Sequence, residues 1–287
     1  MKPLVLLATC AALLLTGCAS ADAGDDDGRM PVTAAFYPLQ FAAERVGGVH
    51  VRVTSLTRPG VEPHDLELTP RAVGSLARSE AVVYLAGFQP AVDQAVRTQA
   101  ADAAVDVTPA ARLDGKDPHF WLDPTRLADV TTALGEDFAR LDPAHAADYR
   151  ANAAALVADL DGLDTAFRTG LAQCRTRELV TGHAAFGYLA QRYDLHQEGV
   201  AGVSPDVEPD AATLRDLSAH VRDAGVTTVY SESLVSPALA ETVAREAGAR
   251  VAVLDPLEGI TDVSPGHDYL EVMRANLATL RAGQECR

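Results

Sequence analysis

About thirty residues, Pro143 to Cys174, carry no strand signal, and their apolar side chains recur in steps of three and four. Tyr149, Ala153, Leu156, Leu160, Leu163, Phe167 and Leu171 fall on one stripe, the pattern of an amphipathic helix. Asp142-Pro143 supplies a start, with Asp as cap and Pro at the first helical position. At 1.5 Å per residue such a helix is a rod on the order of 45 Å long. On either side of it, short apolar runs alternate with helical spacing. Strands are expected at Pro31–Phe36, Val51–Leu56, Ala81–Leu85 and Ala103–Val107, then at Glu178–Thr181, Val226–Tyr230 and Arg250–Leu254. Helices are expected over Pro38–Val46, Arg71–Arg78 and Pro237–Ala247. Strand, helix, strand in repetition means mostly parallel sheets flanked by helices. The fold class is therefore α/β, two lobes joined by one long rigid backbone helix; a surface helix of one large domain is the alternative. No internal sequence repeat is evident.

The ends refine this division. Lys2 precedes an apolar run that closes on Leu15-Thr16-Gly17-Cys18, which reads as a secretory signal and resembles a bacterial lipobox with Cys18 as the lipidated residue. The run is shorter than the roughly 20 apolar residues of a membrane span. ASADAGDDDG follows, acidic and without large apolar residues, as a flexible tether should be. The expected organisation is a signal over 1–17, a tether over 18–29, an N-terminal lobe over 30–141, the linking helix over 142–174 and a C-terminal lobe over 175–287. Export leaves Cys174 and Cys286, which an oxidising compartment would pair. With 40 Asp plus Glu against 24 Lys plus Arg, the chain lacks the clustered cations that nucleic acid requires.

Three of the eight histidines differ from the rest. His64 sits in VEPHDLELTP after the second expected strand, His119 in DPHFWLDP after the fourth, and His183 in VTGHAAFGYLA at the end of the fifth. Ligands of open α/β sheets bind outside the carboxyl ends of strands, and Pro or Gly pins each of these loops. Asp255, in VLDPLEG after the seventh expected strand, is a fourth candidate. Taken singly, each has an ordinary role as a surface or capping residue. His145 and His220 read as solvated helix positions. The wide separations of the four make spacing a weak signal.

PGVEPHDLELTP, DPHFWLDP, VTGHAAFGYLA, VSPDVEPD and VLDPLEG, in this order, resemble the metal-binding lipoproteins of bacterial zinc and manganese ABC importers, from about Pro31 to the C-terminus. The resemblance implies two α/β lobes around a rigid helix, with one metal ion in the cleft held by His64, His119, His183 and Asp255. Glu62 is then a candidate auxiliary ligand. Asp65 and Asp123 are candidates to orient histidine rings, with helix capping the alternative for Asp123. Phe120 and Trp121 would wall the cleft or fill the core, and Glu208 and Glu232 would shape loops. Three imidazoles and one carboxylate suit tetrahedral Zn²⁺, whereas manganese, the alternative metal, favours oxygen-rich sets. The histidine-rich loop of many zinc members is absent here, since Ala110–Lys116 is short. The function implied is non-enzymatic. An extracytoplasmic, lipid-anchored, monomeric receptor would take Zn²⁺ as cargo and pass it to an ABC permease and its ATPase. A metallochaperone could supply the metal. The rival readings are a zinc hydrolase, if a coordination position stays open for water, and a surface adhesin with a structural metal.

Overall fold

The computed structural model describes residues 27–205 and 209–287, so the signal, Cys18 and Glu208 lie outside the described residues. The N-terminal lobe runs β1 (Met30–Ala34), α1 (Tyr37–Gly47), β2 (Val51–Ser55), α2 (Pro70–Leu76), β3 (Ala81–Tyr84), α3 (Pro90–Gln99), β4 (Ala104–Asp106) and α4 (Thr108–Ala111). Two long helices follow, α5 (Pro124–Leu141) and α6 (Ala146–Gly170). The C-terminal lobe runs β5 (Glu178–Thr181), α7 (Gly187–Arg192), β6 (His196–Gly199), α8 (Ala211–Asp223), β7 (Thr228–Ser231), α9 (Ala238–Ala247), β8 (Arg250–Val253) and α10 (Tyr269–Gly283).

Both sheets are four-stranded and parallel, with orders β2-β1-β3-β4 and β6-β5-β7-β8. The second repeats the connectivity of the first without repeating its sequence. The inner strands are apolar on both faces, as MPVTA, AVVY and TVYS show, because helices cover both sides. Strand β6, HQEG, went unrecognised in the sequence. It is a polar edge strand whose side chains alternate between exposed and half-buried, so it carries no apolar signal.

The expected apolar stripe is buried along α6, at Tyr149, Ala153, Leu156, Leu160, Leu163 and Phe167, with Leu171 buried just beyond its end. Helix α6 is shorter than expected, 25 residues or about 37 Å. Pro143–His145 forms a separate 3₁₀ turn, and the Asp142 carboxylate accepts hydrogen bonds from His145 Nδ1 and Tyr149 Oη instead of capping the helix. His145 is not simply solvated; its ring stacks on His50 at 3.9 Å. Helix α6 packs against α5 and α1 of the first lobe and α10 of the second. Gly135 permits the close α5–α6 approach, since a Cβ there would lie 2.8 Å from that of Ala153. One apolar core runs continuously through both lobes, with a smaller one around Val221, Val229 and Val243.

Cys174 and Cys286 form a disulfide spanning 112 residues and tie the end of α10 to the segment after α6. A closed loop of that size is worth about 4–5 kcal/mol by constraining the unfolded chain. Cys174→Ser/Cys286→Ser should lower the melting temperature accordingly while leaving the metal affinity of the folded protein unchanged; calorimetric melts and titrations check both halves of that statement.

Candidate metal centre

His64 stands on the loop after β2, two residues past Glu62. Gln89 Nε2 donates to the Pro63 carbonyl at 2.9 Å, and the His64 N–H donates to Glu62 Oε1 at 3.1 Å. Phe88 packs edge-on against the His64 ring with centroids 4.8 Å apart. His119 is held through its backbone N–H and its ring Nδ1, both directed at Asp117 Oδ1, at 2.9 and 2.7 Å. His183 follows β5 and is held in the same way by Glu232, from its N–H at 2.8 Å and from Nδ1 at 2.6 Å. Gly182 makes room for this, because a Cβ there would sit 2.6 Å from Glu232 Oε1. With both Nδ1 atoms fixed by carboxylates, Nε2 of each ring is the atom presented to the centre.

The carboxylate that the fold brings beside the three histidines is that of Glu258, whereas the expected Asp255 is directed elsewhere. Asp255 Oδ2 accepts from Ser233 Oγ at 2.7 Å and Oδ1 from the Leu257 N–H at 2.7 Å. The Asp255 backbone is bound on both sides by Asn276, at 3.0 and 2.7 Å. Its carboxylate is thus spent inside the loop, where it holds Leu257 in a left-handed conformation, φ 60°. Such a turn costs a non-glycine residue about 1–2 kcal/mol. The turn delivers the next side chain, Glu258, to the histidines. Glu258 Oε1 lies 3.0 Å from His64 Nε2, 3.0 Å from His119 Nε2 and 3.6 Å from His183 Nε2. His119 Nε2 lies 3.2 Å from His64 Nε2 and 3.4 Å from His183 Nε2. Four donors at about 2.0–2.1 Å from one tetrahedral Zn²⁺ would stand about 3.3–3.4 Å apart. Among the described residues, His64, His119, His183 and Glu258 are the group whose ligand atoms all fall within 4.8 Å of one another.

The surroundings fit a cation. Burial works against ionised Glu258, yet hydrogen bonds from the three histidines hold its carboxyl well below the usual range. Burial opposes the charged form of His183, but its bonds to Glu232 and Glu258 prevail and push it up to about 10. His119 is raised in the same way, through Asp117 and Glu258 against burial. Burial, then the neighbouring Glu258, push Glu62 up to about 9. Glu62 Oε2 and Glu258 Oε2 are both buried without a hydrogen-bond partner, a costly state that a bound cation would relieve.

Of the residues considered for ring orientation, Asp123 caps α5, accepting from the N–H and Oγ1 of Thr125, and Asp65 is exposed on its loop. Asp117 and Glu232 are the carboxylates that meet the Nδ1 atoms of His119 and His183. The sequence offered a cue for Asp117, two residues before His119, but none for Glu232, which lies 49 residues from His183. Glu232→Gln keeps the shape but loses one acceptor charge and should weaken metal binding about 10–100-fold; a competition titration against a chelator reads the loss. Trp121 joins the lobes: its Nε1 donates to the Pro256 carbonyl at 2.8 Å, and Tyr269 Oη donates to the Trp121 carbonyl at 2.5 Å.

Comparison with known proteins agrees with this geometry. Residues 32–283 match the family model described as zinc-uptake complex component A, periplasmic. The chain is 32% identical over 301 residues to the zinc-binding lipoprotein AdcA of Streptococcus pneumoniae, covering 96% of this chain and 60% of that protein. It thus spans about three fifths of that relative. It is 30% identical over 308 residues to the high-affinity zinc uptake system protein ZnuA of Bacillus subtilis, covering 97% of this chain and 96% of that one. The Zn(II)-bound ZnuA-like domain of S. pneumoniae AdcA superposes with TM-score 0.78 at 32% identity, over 90% of this chain and 100% of that one. The laminin-binding protein Lmb of Streptococcus agalactiae, described as an adhesin with metal-transporting activity, superposes with TM-score 0.81 at 27% identity, over 89% and 99%. Sequence, fold and donor set converge, and the chain belongs to the family of periplasmic zinc-uptake component A proteins.

Proposed function

We propose that the protein is an extracytoplasmic zinc receptor that binds one Zn²⁺ between its lobes and delivers it to an ABC permease and its ATPase. The observation that carries this reading is the convergence of three Nε2 atoms and Glu258 Oε1 within 4.8 Å of one another, five of the six pairs lying at 3.0–3.6 Å. Three imidazoles with one carboxylate favour zinc over manganese, which prefers oxygen-rich sets. Four protein donors close the tetrahedron, whereas catalytic zinc keeps a position open for water, so the hydrolase reading loses its nucleophile. Glu62 stands beside Glu258 as an auxiliary donor. Cys18 is the proposed lipid anchor, the receptor is monomeric, and the zinc it takes is cargo. The core shared by the lobes and the Trp121–Pro256 bond favour small loop movements over wide hinge opening. Calorimetric titration with zinc, manganese and copper tests the reading. One zinc per chain, bound in preference to manganese, is expected; equal affinity for manganese would sink it.

Affinity should also depend on pH. Zinc takes the Nε2 lone pairs, so protons held by His183 and His119 must leave as the ion binds. Both histidines are raised above the ordinary imidazole value, so binding at neutral pH releases protons and weakens as pH falls. Each proton released corresponds to about tenfold in affinity per pH unit. Titrations in buffers of different ionisation enthalpy count the protons.

A further inference from the structure

The only one of the four donors that is open to solvent faces a cavity poorly suited to a bare ion. The His64 side chain is 10% exposed, while those of His119, His183 and Glu258 are at 0%. His64 lines a cavity of about 520 Å³ with Leu85, Phe88, Leu113, Val203 and Lys116. Six waters at about 30 Å³ each would need about 180 Å³, whereas cavities of roughly 300–1,000 Å³ hold small organic molecules. Leu85, Phe88, Leu113 and Val203 give this cavity an apolar wall that suits a carbon skeleton better than a hydrated cation. Among the described residues that line the cavity, Lys116 carries a fixed charge, and Asp114 and Asp117, its sequence neighbours, do not line it. Asp117 is turned inward to His119, and the segment around Asp114 is bound to Tyr188 Oη. Among the described residues Lys116 has no ion-pair or hydrogen-bond partner, in a chain of net charge −16.

We propose that this cavity admits zinc as an anionic complex with a small carboxylate-bearing chelator, whose carboxylate meets Lys116 while its carbon skeleton packs on Phe88 and Leu113. The inference rests on the zinc-receptor reading and adds the form in which the metal arrives. Transfer is ligand exchange without redox change. The His64 Nε2 lone pair forms the first Zn–N bond as one chelator carboxylate oxygen departs with its electron pair, and zinc stays Zn²⁺. His119, His183 and Glu258 then replace the remaining chelator oxygens, any proton on an incoming Nε2 passes to water, and the free chelator leaves through the cavity.

The test is the sign of the effect of Lys116→Glu, an exposed-loop substitution outside the donor set. Metal-free protein is mixed with aquo zinc or with the singly negative zinc–citrate complex. Loading is followed by stopped-flow fluorescence of Trp121, the single tryptophan, whose ring lies 5.2 Å from that of His119, and is calibrated by elemental analysis. Lys116→Glu should slow loading from zinc–citrate at least about fivefold, since an attraction becomes a repulsion, and should not slow loading from aquo zinc. If it speeds both or leaves both unchanged, zinc enters as the bare ion and the inference is overturned while the receptor reading stands. If wild-type protein loads from neither source, the receptor reading itself fails.

Discussion

His119→Ala should weaken zinc binding far more than about 100-fold, the upper end of what losing an orienting partner costs, while the protein stays folded. His119 is fully buried at the centre of the donor set, and its Nε2 is within 3.4 Å of each of the other three donor atoms. Deleting it opens one corner of the tetrahedron and strands Asp117, whose charge was neutralised through Nδ1. His183→Ala should behave likewise through Glu232. His64→Ala should cost somewhat less, because its partly exposed corner can be refilled by water. Competition titration gives the affinities and circular dichroism checks the fold. Wild-type affinity in any one variant would remove that histidine from the site.

The second large effect separates Glu258 from Asp255. Glu258→Ala removes the oxygen donor and leaves three imidazoles facing one another without the central anion. Zinc affinity should fall by more than about 100-fold, with little loss of stability in the metal-free form. Asp255→Ala acts in the opposite proportion. It leaves Ser233 and the Leu257 N–H without an acceptor in a buried loop, which should cost about 2–4 kcal/mol of stability. It weakens zinc only through the loosened Glu258 turn. Asp255→Asn, which keeps an acceptor for Leu257, should recover much of that stability. Equal loss of zinc affinity in Glu258→Ala and Asp255→Ala, with unchanged melting temperatures, would return Asp255 to the donor set.

The distinction shows where the sequence stops being readable. The alternation of apolar runs with helical spacing exposes the strands because each buries its own side chains locally. The α6 stripe is equally plain for the same reason. His64, His119 and His183 stand out because each follows a strand end and a Pro or Gly. The choice between Asp255 and Glu258, three residues apart in VLDPLEG, depends on Ser233 and Asn276, more than twenty residues away on either side. No local pattern carries that information, and a carboxylate directly after a strand is the natural first candidate. Glu232, expected to shape a loop, holds the His183 ring instead, and its partner 49 residues away leaves no local cue either. Strand β6 escapes because an edge strand needs backbone pairing and no apolar face. The 3₁₀ turn at Pro143–His145 escapes because the preference of Asp142 for His145 and Tyr149 over the helix N-terminus is a matter of side-chain reach.

X-ray absorption at the zinc edge of the loaded protein tests the central claim most directly. A four-coordinate ion with three imidazole nitrogens and one oxygen, all at about 2.0–2.1 Å, is expected, and the oxygen should be lost or replaced by water in Glu258→Ala. A five- or six-coordinate ion, or fewer than three imidazoles in the wild-type spectrum, would contradict it.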